Sequence, residues 1–252
     1  MTSSTSLRSS ASDTPARLGA TPVLAWWSGR PEGDQRALGR GLAAPAPVPA
    51  GAVVRRLHQV HGNSVVVVGA RAASSERSDV PSPSDQPVED QPVEGDALVS
   101  SDASTVLAVL TADCAPVALG SPEGVRAAVH IGWRGLGAGV AAHAAAVMRE
   151  LGAEKIVAGL GPTIGPCCYE FSPADLDRLC ATFGEAVRAE SRRGRPALDL
   201  PGAVRVALAG AGVELVVDTS ICTACDAGYF SHRARGEGQR QAVFVWSDGA
   251  GR

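Results

Sequence analysis

Cys114 follows the apolar run Val106 to Leu110 within Thr111-Ala112-Asp113-Cys114-Ala115-Pro116, and His130 closes a second apolar run, Val125 to Val129. His61 stands in Gln59-Val60-His61-Gly62-Asn63, shortly before Val65 to Val68. All three side chains therefore fall at the ends of buried strands. If those ends converge, they form a Cys/His/His site. Three protein donors with one open position make the usual arrangement of a catalytic zinc. The same trio also works without metal, with an imidazole lowering the thiol pKa, His130 serving as base and His61 orienting the pair. Taken singly, a buried Cys is a small hydrophobe and a strand-end His is hydrogen-bonded scaffold. The shared context is what lifts the trio above that reading.

His130 runs on into Ile131-Gly132-Trp133-Arg134-Gly135-Leu136-Gly137-Ala138-Gly139, a glycine-dense turn ahead of the helix-like Val140 to Leu151. Glycine permits close backbone approach. The spacing matches neither the dinucleotide fingerprint nor a phosphate loop, so the turn is weak evidence for phosphate by itself. Cys222-Thr223-Ala224-Cys225 has the spacing of a redox or zinc knuckle but stands alone, without a second such pair, which weighs against a metal or redox role. Cys167-Cys168 lies beside Gly161 to Pro166, a constrained turn whose amides either face an anion or simply shape a pocket wall. His143 reads as a surface or packing residue and Trp26-Trp27 as core or interface rather than a substrate platform.

Strand patterns cover Thr21 to Trp27, Val53 to Leu57, Val65 to Val68, Ala97 to Val99, Val106 to Leu110, Val125 to His130, Ile156 to Leu160, Val213 to Val217 and Ala242 to Trp246. Helical patterns cover Val140 to Leu151, Pro173 to Phe183 with Ser172 as N-cap, and Pro201 to Ala211. Some strands follow short turns and others follow helices, which predicts a mixed sheet. A chain of 252 residues with 45% apolar content buries one substantial core and demands no second domain. A net charge of -3 leaves no electrostatic footprint for nucleic acid or membrane. No apolar run has the length of a membrane span, and Met1 to Arg17 lacks the apolar centre of a secretory signal. With six Cys, two of them adjacent, reduced thiols and a cytoplasmic location are expected.

Six motifs occur in order: His58-Gln59-Val60-His61-Gly62, Gly95-Asp96-Ala97-Leu98-Val99, Thr111 to Val117, Ala128 to Gly135, Gly161 to Glu170 and Asp218-Thr219-Ser220-Ile221-Cys222-Thr223. From about Val53 to Trp246 the chain resembles the YfiH-type laccase-domain family, also called the multicopper polyphenol oxidase or purine nucleoside phosphorylase laccase-like family. The resemblance implies an α/β (α+β) fold, a single-domain mixed β-sheet sandwich flanked by helices, and a zinc site of His61, Cys114 and His130. Residues 21–252 are then one catalytic domain behind a disordered tail, 1–20. Where members of the family tend to read Ser-Tyr-Arg-Arg, this chain has Ser231-His232-Arg233-Ala234: the arginine matches and the aromatic does not. Arg71 to Glu94, with its tandem Asp85-Gln86-Pro87-Val88-Glu89 and Asp90-Gln91-Pro92-Val93-Glu94, reads as a mobile insertion.

The family names imply several reactions. One is phosphate-dependent cleavage of adenosine, inosine, guanosine or methylthioadenosine, with adenosine deamination as a companion activity. For this the trio serves as the catalytic group and Arg233 and Arg134 hold phosphate. A second is a Cys-dependent amidase that edits peptidoglycan precursors such as UDP-MurNAc-L-Ser, with Cys114 as nucleophile and His130 as base. Copper oxidase chemistry ranks last, since a laccase needs many His ligands for several copper ions and this chain has five His in all. Zinc is accordingly expected ahead of copper. The expected partners are purine nucleosides and phosphate, with no nucleic acid or membrane; the oligomeric state is not legible.

Overall fold

The computed structural model describes residues 14–38, 44–69 and 93–249. The strands are β1 (Ala16–Arg17), β2 (Val23–Trp27), β3 (Val53–Arg55), β4 (Val65–Val67), β5 (Ala97–Ser100), β6 (Thr105–Thr111), β7 (Ala115–Gly120), β8 (Arg126–Ile131), β9 (Ile156–Leu160), β10 (Arg188–Glu190), β11 (Pro196–Leu198), β12 (Val213–Asp218) and β13 (Gln241–Ser247). The helices are α1 (Trp133–Gly137), α2 (Val140–Glu150), α3 (Pro173–Phe183), α4 (Leu200–Gly210) and α5 (His232–Arg235). They build a five-stranded sheet in the order β1-β2-β13-β6-β3 and a six-stranded sheet in the order β12-β9-β7-β8-β5-β4, with β10 and β11 pairing apart. Both sheets mix parallel and antiparallel pairs. The mixed α/β sandwich expected from the sequence is the fold observed.

Period-two alternation sets the layers, because successive strand residues point to opposite faces. Leu107, Val109, Val243, Val245 and Trp27 meet Leu98, Ala118 and Ala128 of the other sheet in the layer between them. Their neighbours Val106, Ala108, Phe244 and Trp246 turn outward with Trp26 and pack beneath Leu38 and Val48. On the far side of the six-stranded sheet, Val117, Leu119, Val129 and Ile131 lie under helices through Leu136, Ala144, Met148, Leu176 and Val204. The Trp26-Trp27 pair thus belongs to the core, split between two faces. Trp27 packs so tightly on β9 that a Cβ at Gly161 would stand 2.1 Å from its indole.

The structure corrects several expectations. Of residues 1–20, the part from Thr14 on is folded: Ala16 and Arg17 pair with Ala25 and Leu24, and Leu18 is fully buried. The insertion at 71–94 lies outside the described residues except Val93 and Glu94, which meet His58 through the bond from His58 N to Val93 O (3.0 Å). The glycine-dense stretch after His130 is a short helix, α1, broken from α2 at Gly139, whose φ of 81° needs glycine. β7 escaped the pattern reading because Pro116 and Gly120 look like breakers. Pro116 is tolerated because it pairs with His130 near the strand's start.

Candidate active site

The ladder of the six-stranded sheet brings the trio together. Pairing of Ala97 with Val129 sets Asp96 beside His130, and pairing of Ala115 with Ile131 sets Cys114 level with Gly132. Cys114 lies on the crossover from β6 to β7, where the chain passes from one sheet to the other. His61 arrives on the loop between β3 and β4 with a left-handed φ of 62°. Its Nε2 stands 3.7 Å from Cys114 Sγ, and the two imidazole rings meet edge to face with centroids 4.8 Å apart. His130 is buried, Cys114 half-buried and His61 exposed. Gly132 is what lets them meet: a Cβ there would lie 2.7 Å from His61 Cδ2 and 3.2 Å from Cys114 Sγ.

Asp96, fully buried, braces two of the three. One carboxylate oxygen accepts from His61 N (2.9 Å) and lies 2.8 Å from His130 Nδ1; the other accepts from Gly62 N (2.6 Å). Burial works against its charge, but the His130 contact and the two backbone N–H groups hold its pKa below the usual carboxylate range. With Nδ1 occupied, His130 presents Nε2 to the site. A carboxylate behind a ligating histidine is the recurrent arrangement at metal centres. Burial likewise pushes the Cys114 thiol up, yet the adjacent His130 charge and the His130 and His61 hydrogen bonds bring it to about 6. His130 is raised to about 9 against the cost of its own burial, by the Cys114 thiolate and by Asp96. Each of the two groups thus favours the charged form of the other.

The trio also fits a metal ion. Its three donor atoms lie within 4.8 Å of one another, and a tetrahedral zinc with one sulfur and two nitrogens requires donor separations of about 3.3 to 3.6 Å, close to the 3.7 Å found. Three donors leave one position open.

A second buried carboxylate, Asp113 (φ 102°), ties the C-terminal motif to Cys114. It accepts from Thr223 Oγ1 (2.7 Å), Ser231 Oγ (2.6 Å) and Arg233 N (2.6 Å), while its carbonyl accepts from Ile164 N (2.9 Å). Arg233 then lies over the Tyr169 ring at 5.1 Å, and Arg134 lies over Trp133 at 4.3 Å. Burial pushes the buried Tyr169 hydroxyl up to about 12; the nearby Cys114 and Asp113 charges add to this and Arg233 and Arg134 oppose it. One tyrosine thus feels the thiolate and both arginines. His143 is exposed on α2, away from the trio, and His232 is exposed with Nδ1 3.2 Å from Glu237 O.

Asp96, Asp113 and Tyr169 were missed as site residues by the sequence reading. The available signal was an acidic residue touching an apolar strand, in Gly95-Asp96-Ala97-Leu98 and in Thr111-Ala112-Asp113-Cys114, since a buried carboxylate needs several donors. A cavity of about 290 Å³ opens away from the trio, lined by Gly161, Pro166, Cys167, Arg205, Asp218 and Cys222 among others.

Comparison with known proteins shows the family. The family model described as multi-copper polyphenol oxidoreductase laccase matches residues 40–248. A purine nucleoside phosphorylase of Streptomyces coelicolor is 39% identical over 196 residues, spanning 76% of this chain and 74% of the relative. The purine nucleoside phosphorylase YfiH of Shigella flexneri is 34% identical over 75% of this chain and 72% of its own. Among solved structures, YlmD from Geobacillus stearothermophilus superposes with a TM-score of 0.67 at 28% identity, covering 92% of this chain and 96% of that one.

Proposed function

The chain belongs to the multi-copper polyphenol oxidoreductase laccase family, and on that premise we propose that it is a purine nucleoside phosphorylase acting on adenosine, inosine, guanosine and methylthioadenosine. The observation that carries this reading is the meeting of a Cys/His/His trio with two guanidinium groups around Tyr169. Phosphorolysis breaks the bond between the sugar C1 and the purine nitrogen, sends the electron pair out with the base, and forms a C1–oxygen bond to phosphate. The enzyme must hold a polyanion on one side and stabilise a departing base on the other. Arg233, with its backbone N–H fixed by Asp113, and Arg134 supply the planar forks that suit phosphate oxygens. Trp133, half-exposed and adjacent to Gly132, carries the Arg134 guanidinium over its ring. Tyr169, with its hydroxyl raised to about 12, stays neutral and able to donate. His61, Cys114 and His130 are the residues that would hold zinc, which when bound supplies Lewis-acid polarisation at its open position. Adenosine deamination is proposed as a side activity of the same site.

A copper oxidase is disfavoured by the donor count, since three of the chain's five histidines, His58, His143 and His232, stand outside the trio. The second reading, a Cys114 amidase acting on UDP-MurNAc-L-Ser, rests on the thiol pKa of about 6 beside His130. The six free cysteines support a cytoplasmic location, and among the described residues no helix is long and apolar enough to cross a membrane. Incubation with a panel of nucleosides, with and without phosphate, followed by chromatography, tests the assignment. Free base and sugar phosphate are expected only with phosphate, inosine appears from adenosine if deamination accompanies it, and Cys114→Ala suppresses turnover while nucleoside binding persists. Base release independent of phosphate refutes the phosphorylase. If base release is absent while UDP-MurNAc-L-Ser is hydrolysed, the amidase reading replaces it.

A further inference from the structure

The knuckle that looked solitary in the sequence is not alone in space. Cys167 and Cys168 sit on the tight turn Pro166–Cys168, and their sulfurs face those of Cys222 and Cys225. Sulfur separations are 3.7 Å for Cys167 to Cys222, 3.5 Å for Cys167 to Cys225 and 3.4 Å for Cys168 to Cys225, with all four sulfurs within 4.8 Å of one another. These are far longer than a disulfide, which is about 2.05 Å. They approach the edge of a tetrahedron of sulfurs around zinc, which at a Zn–S bond of about 2.3 Å is about 3.8 Å.

The backbone builds this arrangement deliberately. Cys222 O accepts from both Cys225 N and Asp226 N, each at 3.0 Å, folding the knuckle so that both thiols emerge on one side. Thr163 N donates to Ile221 O and Thr223 N to Thr163 O, each at 3.1 Å, which sets the cysteine pairs side by side. Gly165 N donates to Cys222 Sγ at 3.2 Å, a contact suited to a thiolate. Apolar packing accounts for only part of the convergence, since Cys168 and Cys222 rest against the core but Cys225 stands exposed. Cys225 is exposed and the other three are only half-buried, whereas Cys180, which does act as a core residue, is buried elsewhere.

We propose that Cys167, Cys168, Cys222 and Cys225 form a second metal site, a tetrahedral four-thiolate zinc centre separate from His61, Cys114 and His130. Four protein donors close the coordination sphere, so this zinc is structural. It clasps the segment ending in Tyr169 to the segment running on to Arg233, both of which border the trio. The site stands independently of the reaction proposed above.

Full-length protein purified under reducing conditions, stripped of metal and titrated with cobalt(II) and with zinc, tests it. About two metal equivalents per chain are expected for wild type if the trio is also loaded, and each site is separable by substitution. Cys225→Ser removes one equivalent and the intense sulfur-to-cobalt charge-transfer absorption of a four-thiolate site, whereas Cys114→Ala leaves that absorption in place. On wild-type protein, which needs no folding control, zinc should shield Cys167, Cys168, Cys222 and Cys225 from alkylation as a group, with EDTA restoring their reactivity. Equal metal content and an unchanged cobalt spectrum in Cys225→Ser would overturn the site. So would zinc-independent alkylation of the four thiols, or a Cys168–Cys225 disulfide in metal-free protein purified under those conditions.

Discussion

Replacing Asp96 by Asn tests whether the site is held in shape by its buried carboxylate. The change conserves volume but removes the charge and one of two acceptor oxygens. Asp96 serves His61 N at 2.9 Å, Gly62 N at 2.6 Å and His130 Nδ1 at 2.8 Å. The carboxamide oxygen can serve one side only, so its NH2 group confronts a donor on the other. A buried donor left without a partner costs about 1–3 kcal/mol, and His61 is then free to leave a left-handed conformation that itself costs about 1–3 kcal/mol. Loss of the partner behind a ligating histidine lowers metal affinity about 10- to 100-fold, which corresponds to about 1.4 to 2.8 kcal/mol. Competition with a fluorescent chelator should therefore show Asp96→Asn releasing zinc from the trio at a correspondingly lower chelator concentration, with urea unfolding showing a loss of about 1–3 kcal/mol. A variant that loses stability yet keeps wild-type zinc affinity would refute the argument that Asp96 orients His61 and His130.

Gly132→Ala should displace His61 and Cys114, since the new Cβ would lie 2.7 Å and 3.2 Å from them; trio occupancy and turnover fall together while far-ultraviolet circular dichroism stays native. Arg233→Ala should raise the KM for phosphate about 30-fold, equivalent to about 2 kcal/mol for a lost charge-assisted contact, with a smaller change for nucleoside; steady-state kinetics with phosphate varied reads this. Glu237, where burial is outweighed by Arg30, Ser231 N–H and Arg235, has its pKa lowered from 4.5 to about 2. A depressed carboxyl pKa stabilises the fold above its unfolded value and ceases to do so as pH falls through the folded value. The urea midpoint difference between wild type and Glu237→Gln should therefore be full above about pH 4.5 and vanish near about pH 2.

Strand and helix periods were legible wherever the apolar runs were long: β9 and α3 fall where the sequence placed them, and β2, β6, β8 and β13 to within two residues. The trio was legible because Cys and His at strand ends are chemically conspicuous. What escaped was information carried by contacts between distant segments. Asp96 and Asp113 look like ordinary strand-edge carboxylates until the ladder places backbone donors around them. Cys167 and Cys168 lie 54 or more positions from Cys222 in the numbering, and only the parallel bridge between Thr163 and Cys222 reveals that the four belong together. Short elements such as β1, α1 and α5 carry too few residues for a periodic signal.

The position of β13 has a kinetic corollary. This strand, the last one described, lies between β2 and β6 in the middle of the five-stranded sheet. Until it is in place, β2, with Leu24, Trp26 and Trp27, lacks its inner neighbour and presents an apolar, unpaired edge of the kind that recruits other chains. Sheet closure thus waits for contacts more than two hundred residues apart, the high-contact-order situation in which folding is slow and partly folded chains are exposed to aggregation. Refolding from denaturant is accordingly a task in which dilution and temperature govern yield.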